Sequence, residues 1–292
     1  MPPTPHHLTL AASSLFSAPL DHPAAAKDSL WRKLLEEADA AFEAEPNLRA
    51  LLRQTILDRD SFEDAVIHRV ASRFASDFVP VGQIVAAFTA ALGAEPEIGL
   101  GFRADINAVI DRDPACGRFI EPFLYFKGYH AIQIHRLAHH LWTRAKQDFA
   151  LFLQSRSSDL FQTDIHPAAR IGQGVFLDHA TGFVVGSTAV IDDDVSILQN
   201  VTLGGTGKEA GDRHPKVRRG VLLGAGAKIL GNIQVGEYAR VAAGSVVLHP
   251  VPAHATVAGV PAKIVARHND EPYRDMDQVL RDLNYRAFSY AI

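Results

Sequence analysis

Cysteine is almost missing from this chain. Cys116 is the only one in 292 residues, which excludes an intrachain disulfide and fits a reducing, cytoplasmic setting. No run of 18 apolar residues occurs, so no transmembrane helix is expected. The N-terminus lacks the basic-then-apolar order of a secretory signal. Charge of one sign is also scarce. The net value is −4 at neutral pH, and nothing in that balance points to nucleic acid. The length suits two domains and a well-buried core.

What the chain does have is a beat of six. Aliphatic residues stand at Ile165, Ile171 and Leu177, then at Val185, Ile191, Ile197 and Leu203, and again at Leu223, Ile229, Val235, Val241 and Val247. A small residue often follows, as at Gly172, Gly186, Gly204, Gly224, Gly236 and Ala242. Six matches neither an amphipathic helix nor a two-sided strand. It is the period of a hexapeptide β-helix, in which three short strands make a triangular coil of about 18 residues.

The beat is interrupted twice. From Leu177 to Val185 the step is eight, so two residues are inserted around Asp178-His179-Ala180-Thr181-Gly182. From Leu203 to Leu223 the step is 20. That fits a replaced coil, 18 plus 2, or an extruded loop, 6 plus 14. Residues 204–220 show no aliphatic pattern and are rich in glycine and cations, so an extruded loop is expected there. Loops on a rigid solenoid are where binding and catalysis usually sit.

Upstream, the pattern is helical. Leu30, Trp31, Leu34, Leu35, Ala38, Ala41 and Phe42 recur at three and four. Asp60-Ser61 before Glu63-Asp64 reads as a helix start. Further helices are expected over 84–92, 105–110 and 129–142. The expected fold is α+β, with an N-terminal α-helical domain followed by a parallel β-helix. Residues 1–27 read as a disordered tail, 28–154 as the helical domain, 155–267 as the β-helix with its loop at 204–220, and 268–292 as a polar C-terminal tail.

Several residues in this frame can carry chemistry. His179, beside Asp178 in the short insertion, suits a general base near neutral pH. Asp164 lies 15 residues earlier, close to one coil, where an acid can hold the imidazole tautomer. The long loop carries Lys208, Arg213, His214, Lys216, Arg218 and Arg219, a set suited to a carboxylate or phosphate. Gly204-Gly205-Thr206-Gly207 can turn backbone N–H groups toward an oxyanion. His135 and His139 sit four apart on a helix, but no HExxH pattern accompanies them, and they read as structural histidines.

Longer stretches resemble a known family. Asp164-Ile165-His166-Pro167-Ala168-Ala169, Leu177-Asp178-His179-Ala180-Thr181-Gly182, Val201 to Lys208 and Gly211-Asp212-Arg213-His214-Pro215-Lys216 are similar to serine O-acetyltransferases of the hexapeptide-repeat acyltransferase superfamily. So are Gly224 to Asn232, Ala258-Gly259-Val260-Pro261-Ala262, Asp111-Arg112-Asp113-Pro114-Ala115 and Tyr125-Phe126-Lys127-Gly128-Tyr129-His130-Ala131. The resemblance implies acetyl transfer from acetyl-CoA to the L-serine hydroxyl, the entry to cysteine synthesis. It implies His179 as general base, Asp164 as its orienting acid, Asp113 and Asp178 on the serine ammonium, and Arg213 and His214 on the carboxylate. Gly205 is the implied oxyanion donor, and Thr206, Ala225, Ala243 and Lys263 match a CoA groove. No resident metal or cofactor is implied.

The same resemblance implies a left-handed solenoid, against the usual crossover hand, and a homotrimer or dimer of trimers with sites between subunits. It implies inhibition by L-cysteine and a C-terminal Ile292 that inserts into O-acetylserine sulfhydrylase. Alternatives on this solenoid are an acyltransferase for another hydroxyl acceptor, or a zinc-dependent hydratase using His166, His179 and His214.

Overall fold

The computed structural model describes residues 28–207 and 210–276. The N-terminal tail 1–27 and Ile292 lie outside the described residues.

The first half is helical. The helices are α1 (Ser29–Ala44), α2 (Arg49–Leu52), α3 (Phe62–Phe74), α4 (Val81–Ala94), α5 (Glu97–Arg112), α6 (Ile120–Leu124), α7 (Lys127–Thr143) and α8 (Gln147–Phe161). The expected start at Ser61 is present, and its hydroxyl accepts from the Asp64 N–H at 3.2 Å. Other bounds differ from the sequence reading. Helix α4 begins at Val81 and carries Gly82 in its first turn, and α5 begins at Glu97 rather than Asp105. Packing of both helices overrides the low propensity of their glycines. The helical region continues past Gln154 to Phe161. Its last turn looks polar in sequence, yet Phe161 is fully buried, and the buried Ser157 and Thr163 hydroxyls share a 2.7 Å hydrogen bond.

The second half is a left-handed parallel β-helix built from three sheets. The first contains β1 (Thr163–Ile165), β4 (Phe183–Val185), β7 (Thr202–Gly204), β10 (Lys228–Leu230) and β13 (Val246–Val247). The second contains β2 (Arg170–Ile171), β5 (Val190–Ile191), β8 (Lys216–Val217) and β11 (Gln234–Val235). The third contains β3 (Phe176–Leu177), β6 (Ser196–Ile197), β9 (Leu222–Leu223), β12 (Arg240–Val241), β14 (Ala255–Gly259) and the antiparallel β15 (Ala262–Arg267). A short α9 (Pro272–Asp275) follows.

The six-residue beat becomes three columns. Ile165, Val185, Leu203, Ile229 and Val247 stack in the first sheet. Ile171, Ile191, Val217 and Val235 stack in the second. Leu177, Ile197, Leu223, Val241 and Val257 stack in the third. All are buried except Ile171, which is half-buried. Each of the buried ones contributes about 1.5–3 kcal/mol by leaving water. The long loop is narrower than the sequence reading has it. Val217 is on the beat, six before Leu223, so the solenoid resumes at β8 inside the expected loop 204–220.

The two halves meet through polar contacts. The Asp105 carboxylate accepts from the Arg136 guanidinium at 2.6 Å, from the Gln133 amide at 3.0 Å and from the Val175 N–H at 3.0 Å. His135 Nε2 and His139 Nδ1 lie against the Ala169 and Pro167 carbonyl oxygens, at 3.1 and 2.8 Å. These histidines tie α7 to the first coil, and burial pushes the His135 pKa down to about 3. Among the described residues no single helix is long and apolar enough to cross a membrane.

The closest approach is at Gly128, the second residue of α7. A Cβ there would overlap the Leu177 carbonyl oxygen. Gly128→Ala must therefore push α7 off β3, and we expect it to lower unfolding stability by about 1–3 kcal/mol. Chemical denaturation checks this: an unshifted midpoint would mean the contact yields freely.

Candidate active site

The residues expected to act on substrate fall on two edges of the solenoid. The first-sheet strands run from one edge to the other. At their N-terminal ends, the corner from β3 to β4 carries Asp178 and His179. Successive corners stack on it through Thr181, Gln199, Ala225 and Gly244, linked by Asn200 N–H to Thr181 O at 2.7 Å, Gly226 N–H to Gln199 O at 2.9 Å and Gly244 N–H to Ala225 O at 2.8 Å. Ala225 and Ala243 are on this edge, and Lys263 lies opposite Ala258 near its far end. At the C-terminal ends of the same strands, the other edge holds Gly205, Thr206, Arg213 and His214.

The first edge faces the helical domain. A cleft of about 440 Å³ there is lined by Asp113, Tyr125, Lys127, Asp178 and His179, among others. Asp113 caps the C-terminus of α5, and its Oδ1 accepts from the Ala115 N–H at 2.9 Å. Asp178 keeps its place on the ladder, with its N–H donating to Ile197 O at 2.8 Å. Its Oδ2 lies 3.6 Å from His179 Nε2. Burial raises the Asp178 carboxyl above the ordinary carboxylate range, the His179 ring opposes that shift, and Asp113 adds to it.

The inserted corner is strained. His179 and Ala180 both have left-handed backbones, with φ of 56° and 59°. Each such non-glycine residue costs roughly 1–2 kcal/mol. The result presents the His179 ring, whose side chain is 72% exposed, on a fixed backbone. Asp164 does not reach it within the chain. Asp164 pairs in register with Val184, because the insertion lengthens this coil to 20 residues. Its carboxylate accepts instead from the Gln154 amide at 2.6 Å.

The second edge is a set of donors. The Thr188 N–H and hydroxyl both donate to His214 Nδ1, at 3.2 and 2.8 Å, while the Thr188 oxygen accepts from the Arg213 and His214 N–H groups at 3.0 and 3.1 Å. Burial, with Arg213 and Lys216 close by, holds the His214 ring below the ordinary histidine value. A neutral ring whose Nδ1 accepts must carry its proton on Nε2, which is then a donor. Gly186 makes room for that ring, since a Cβ there would overlap it. Gly205 packs beside both side chains, its Cβ position lying 3.4 Å from Arg213 and 3.5 Å from His214 Nε2.

Within one chain the structure thus gathers Asp113, Asp178 and His179, and separately Gly205, Arg213 and His214. His166, His179 and His214 do not converge. The His166 Nδ1 accepts from the Ala168 N–H at 3.0 Å, and its ring packs against Trp142. Lys127 and Tyr125 on the first edge and Thr188 on the second join these residues without a role expected from the sequence. Lys127 and Tyr125 lay in a recognised stretch, whereas no pattern marks Thr188.

A family model described as serine acetyltransferase, N-terminal, matches residues 30–134, and one described as bacterial transferase hexapeptide (six repeats) matches residues 214–249. The serine acetyltransferase of Salmonella typhimurium is 50% identical over 262 residues, covering 89% of this chain and 96% of its own. A solved serine acetyltransferase from Brucella abortus, in complex with coenzyme A, is 57% identical with a TM-score of 0.83, covering 84% of this chain and 98% of its own. A serine acetyltransferase in complex with cysteine is 49% identical with a TM-score of 0.84, covering 86% and 98%.

The raised Asp178 carboxyl has a consequence for stability. Below the ordinary carboxylate range both folded and unfolded chains hold the proton, and nothing is lost. As pH rises past it, the folded chain must carry an anion that its surroundings disfavour, and stability falls. Asp178→Asn should therefore melt at higher temperature than the parent at pH 7, with the gap closing below about pH 4. A gap independent of pH would show that burial of the charge is not its cause.

Proposed function

The chain belongs to the serine acetyltransferase family, and from that premise we propose a mechanism in which its two solenoid edges, one from each of two copies, close on one substrate. The observation that carries this is the separation of complementary chemistry. Acids and a base stand on one edge, and donors on the other. Serine is a zwitterion, with an ammonium suited to Asp113 and Asp178 and a carboxylate suited to Arg213 and the His214 Nε2–H. Acetyl-CoA is the second substrate, lying along the edge through Ala225, Ala243 and Lys263 and meeting Gly205 and Thr206 of the neighbour.

In this reading His179 accepts the serine hydroxyl proton while the oxygen attacks the thioester carbon. The backbone N–H at Gly205 faces the developing oxyanion. Collapse breaks the C–S bond, and the His179 proton passes to the departing CoA thiolate, leaving O-acetylserine. Asp164 lies on the exposed face of the first sheet between the two edges, where it orients the ring as copies pack together. The copies form a homotrimer or a dimer of trimers. L-Cysteine carries the same ammonium and carboxylate, and it inhibits by occupying the serine site. Ile292 serves as the anchor for O-acetylserine sulfhydrylase in the pathway to cysteine.

The test is thiol release from acetyl-CoA with L-serine, compared with L-threonine, L-homoserine and a simple sugar. Serine is expected to be the preferred acceptor, and L-cysteine to raise the apparent KM for serine. Preference for another acceptor would discard the substrate assignment. His179→Ala should lower kcat by about two to four orders of magnitude, whereas Arg213→Ala, which removes the partner of the carboxylate, should raise KM for serine and so lower kcat/KM. Refolding the two variants together should restore part of the activity, because mixed assemblies contain sites with both intact edges. No recovery would refute the shared site. For the tail, a chain lacking Ile292 should keep acetyl transfer and lose sulfhydrylase binding in a pull-down; unchanged binding would remove Ile292 from that role.

A further inference from the structure

The corner that carries His179 is braced unevenly. Its two ends are fixed by the solenoid and by Gln162, the residue that caps α8. Asp178 donates to Ile197 O at 2.8 Å, Thr181 O accepts from the Asn200 N–H at 2.7 Å, and Gly182 donates to Gln162 O at 2.8 Å. In the middle, Ala180 is buried and its carbonyl accepts from the Phe183 N–H at 3.0 Å, whereas among the described residues the His179 carbonyl takes hydrogen bonds only from within the corner. Ala180 donates to Asp178 O at 2.6 Å and Thr181 donates to His179 O at 2.7 Å. Both residues hold left-handed backbones. Such a segment keeps a strained geometry only where its surroundings over-determine it.

One side-chain contact from α7 reaches this corner, at Thr181. The Lys127 ammonium, at the first position of α7, donates to the Thr181 hydroxyl oxygen. The Thr181 hydroxyl in turn lies 3.4 Å from the His179 carbonyl oxygen, toward which it donates. An ammonium has no acceptor to offer, so its approach leaves the hydroxyl proton directed at that carbonyl. The next residue, Gly128, is pressed against the Leu177 carbonyl, which fixes where Lys127 starts. Among the described residues Lys127 makes no ion pair with Asp113 or Asp178, although all three line the same cleft.

We infer that Lys127 is a positioning residue for His179, acting from the helical domain through the Thr181 hydroxyl. It does not touch the substrate. It sets the peptide after His179 and, through it, the ring's direction. This rests on His179 being the general base. It also explains why acids chosen for an ammonium tolerate a lysine in their cleft: its charge is directed at the corner.

The full-length protein with Lys127→Met, Thr181→Val, both together, and Lys127→Arg tests the inference. Misplacement of a reacting group by an ångström can cost about a hundredfold in rate. Lys127→Met and Thr181→Val are each expected to lower kcat by about ten- to a hundredfold, with KM for acetyl-CoA and the melting temperature nearly unchanged. The double variant should be no worse than the poorer single one, since both remove one relay. Lys127→Arg, which keeps a donor, should recover part of the loss. Additive losses, or a loss confined to KM for serine, would overturn the inference in favour of direct action on the substrate. Hydrogen exchange over residues 178–183 provides a readout independent of turnover. Exchange there should quicken in Lys127→Met and Thr181→Val alike, and unchanged exchange would overturn the relay. If the parent fails to acetylate serine, the mechanism falls on that arm alone, and the exchange arm still decides the tether.

Discussion

A carboxylate with almost no access to water, Asp105, holds the two halves of this molecule together. It accepts four hydrogen bonds from Val175, Gln133 and Arg136. Arg136 then donates onward to the Gly172 carbonyl at 2.8 Å. Both side chains of the ion pair are at least nine-tenths buried. Deep burial of such a pair is weak evidence for stability, but loss of one partner strands a charge and costs about 3–5 kcal/mol. The pair therefore acts as a register pin. It fixes α5 and α7 against the first coil, and that placement sets the rest. Asp113 is where α5 ends. Lys127 and Gly128 are where α7 begins. All three arrive at the corner that carries Asp178 and His179.

The solenoid supplies what the corner lacks. Columns of stacked aliphatic residues continue above and below each strand, so the chain re-enters its path after any insertion. That redundancy lets two residues be inserted at 178–182 and a longer piece before Lys216 without loss of register. The left-handed His179 and Ala180, and the carboxyl of Asp178 raised by burial, are costs that a repetitive core can carry. Function on this fold therefore concentrates at interruptions of the beat, and the interruptions fall at opposite ends of the first-sheet strands.

The beat was legible in the sequence because stacking in a β-helix is dictated by one residue in six. It failed at Val217 because 14 residues, not six, separate it from Leu203, and no local signal marks where an extruded loop rejoins its column. The helical domain reads as ending at 154, whereas α8 runs to Phe161, where Ser157 bonds Thr163 and Phe161 packs against Phe74, contacts no periodicity announces. His135 and His139 read as structural histidines, and their rings lie against the Ala169 and Pro167 carbonyl oxygens. Asp178 and His179 stand out in the sequence because they sit in an insertion. The roles of Asp105 and Thr188 did not show, since each depends on partners 25 or more residues away. Lys127 was visible only within a recognised stretch, 54 residues from Thr181. The separation of Asp164 from His179 followed from the same insertion: a spacing of 15 suggested one coil, but the coil there is 20.

The division of the proposed site between two edges also bears on selectivity. An acid pair on one side and Arg213 with the His214 Nε2–H on the other recognise an ammonium and a carboxylate, and every α-amino acid has both. Those contacts alone cannot choose serine. They fix the α-carbon, and the side chain then points from a fixed origin. What remains is whether its terminal atom meets a base, and that depends on where the His179 ring stands. Serine and cysteine, alike in length, share that reach, so in the proposed reading the sulfur analogue occupies the position that the serine hydroxyl takes. In that reading selectivity resides in the geometry of the strained corner more than in the charges around it. A corner held from one side by the coil and from the other by the helical domain is the arrangement that a base of fixed reach requires.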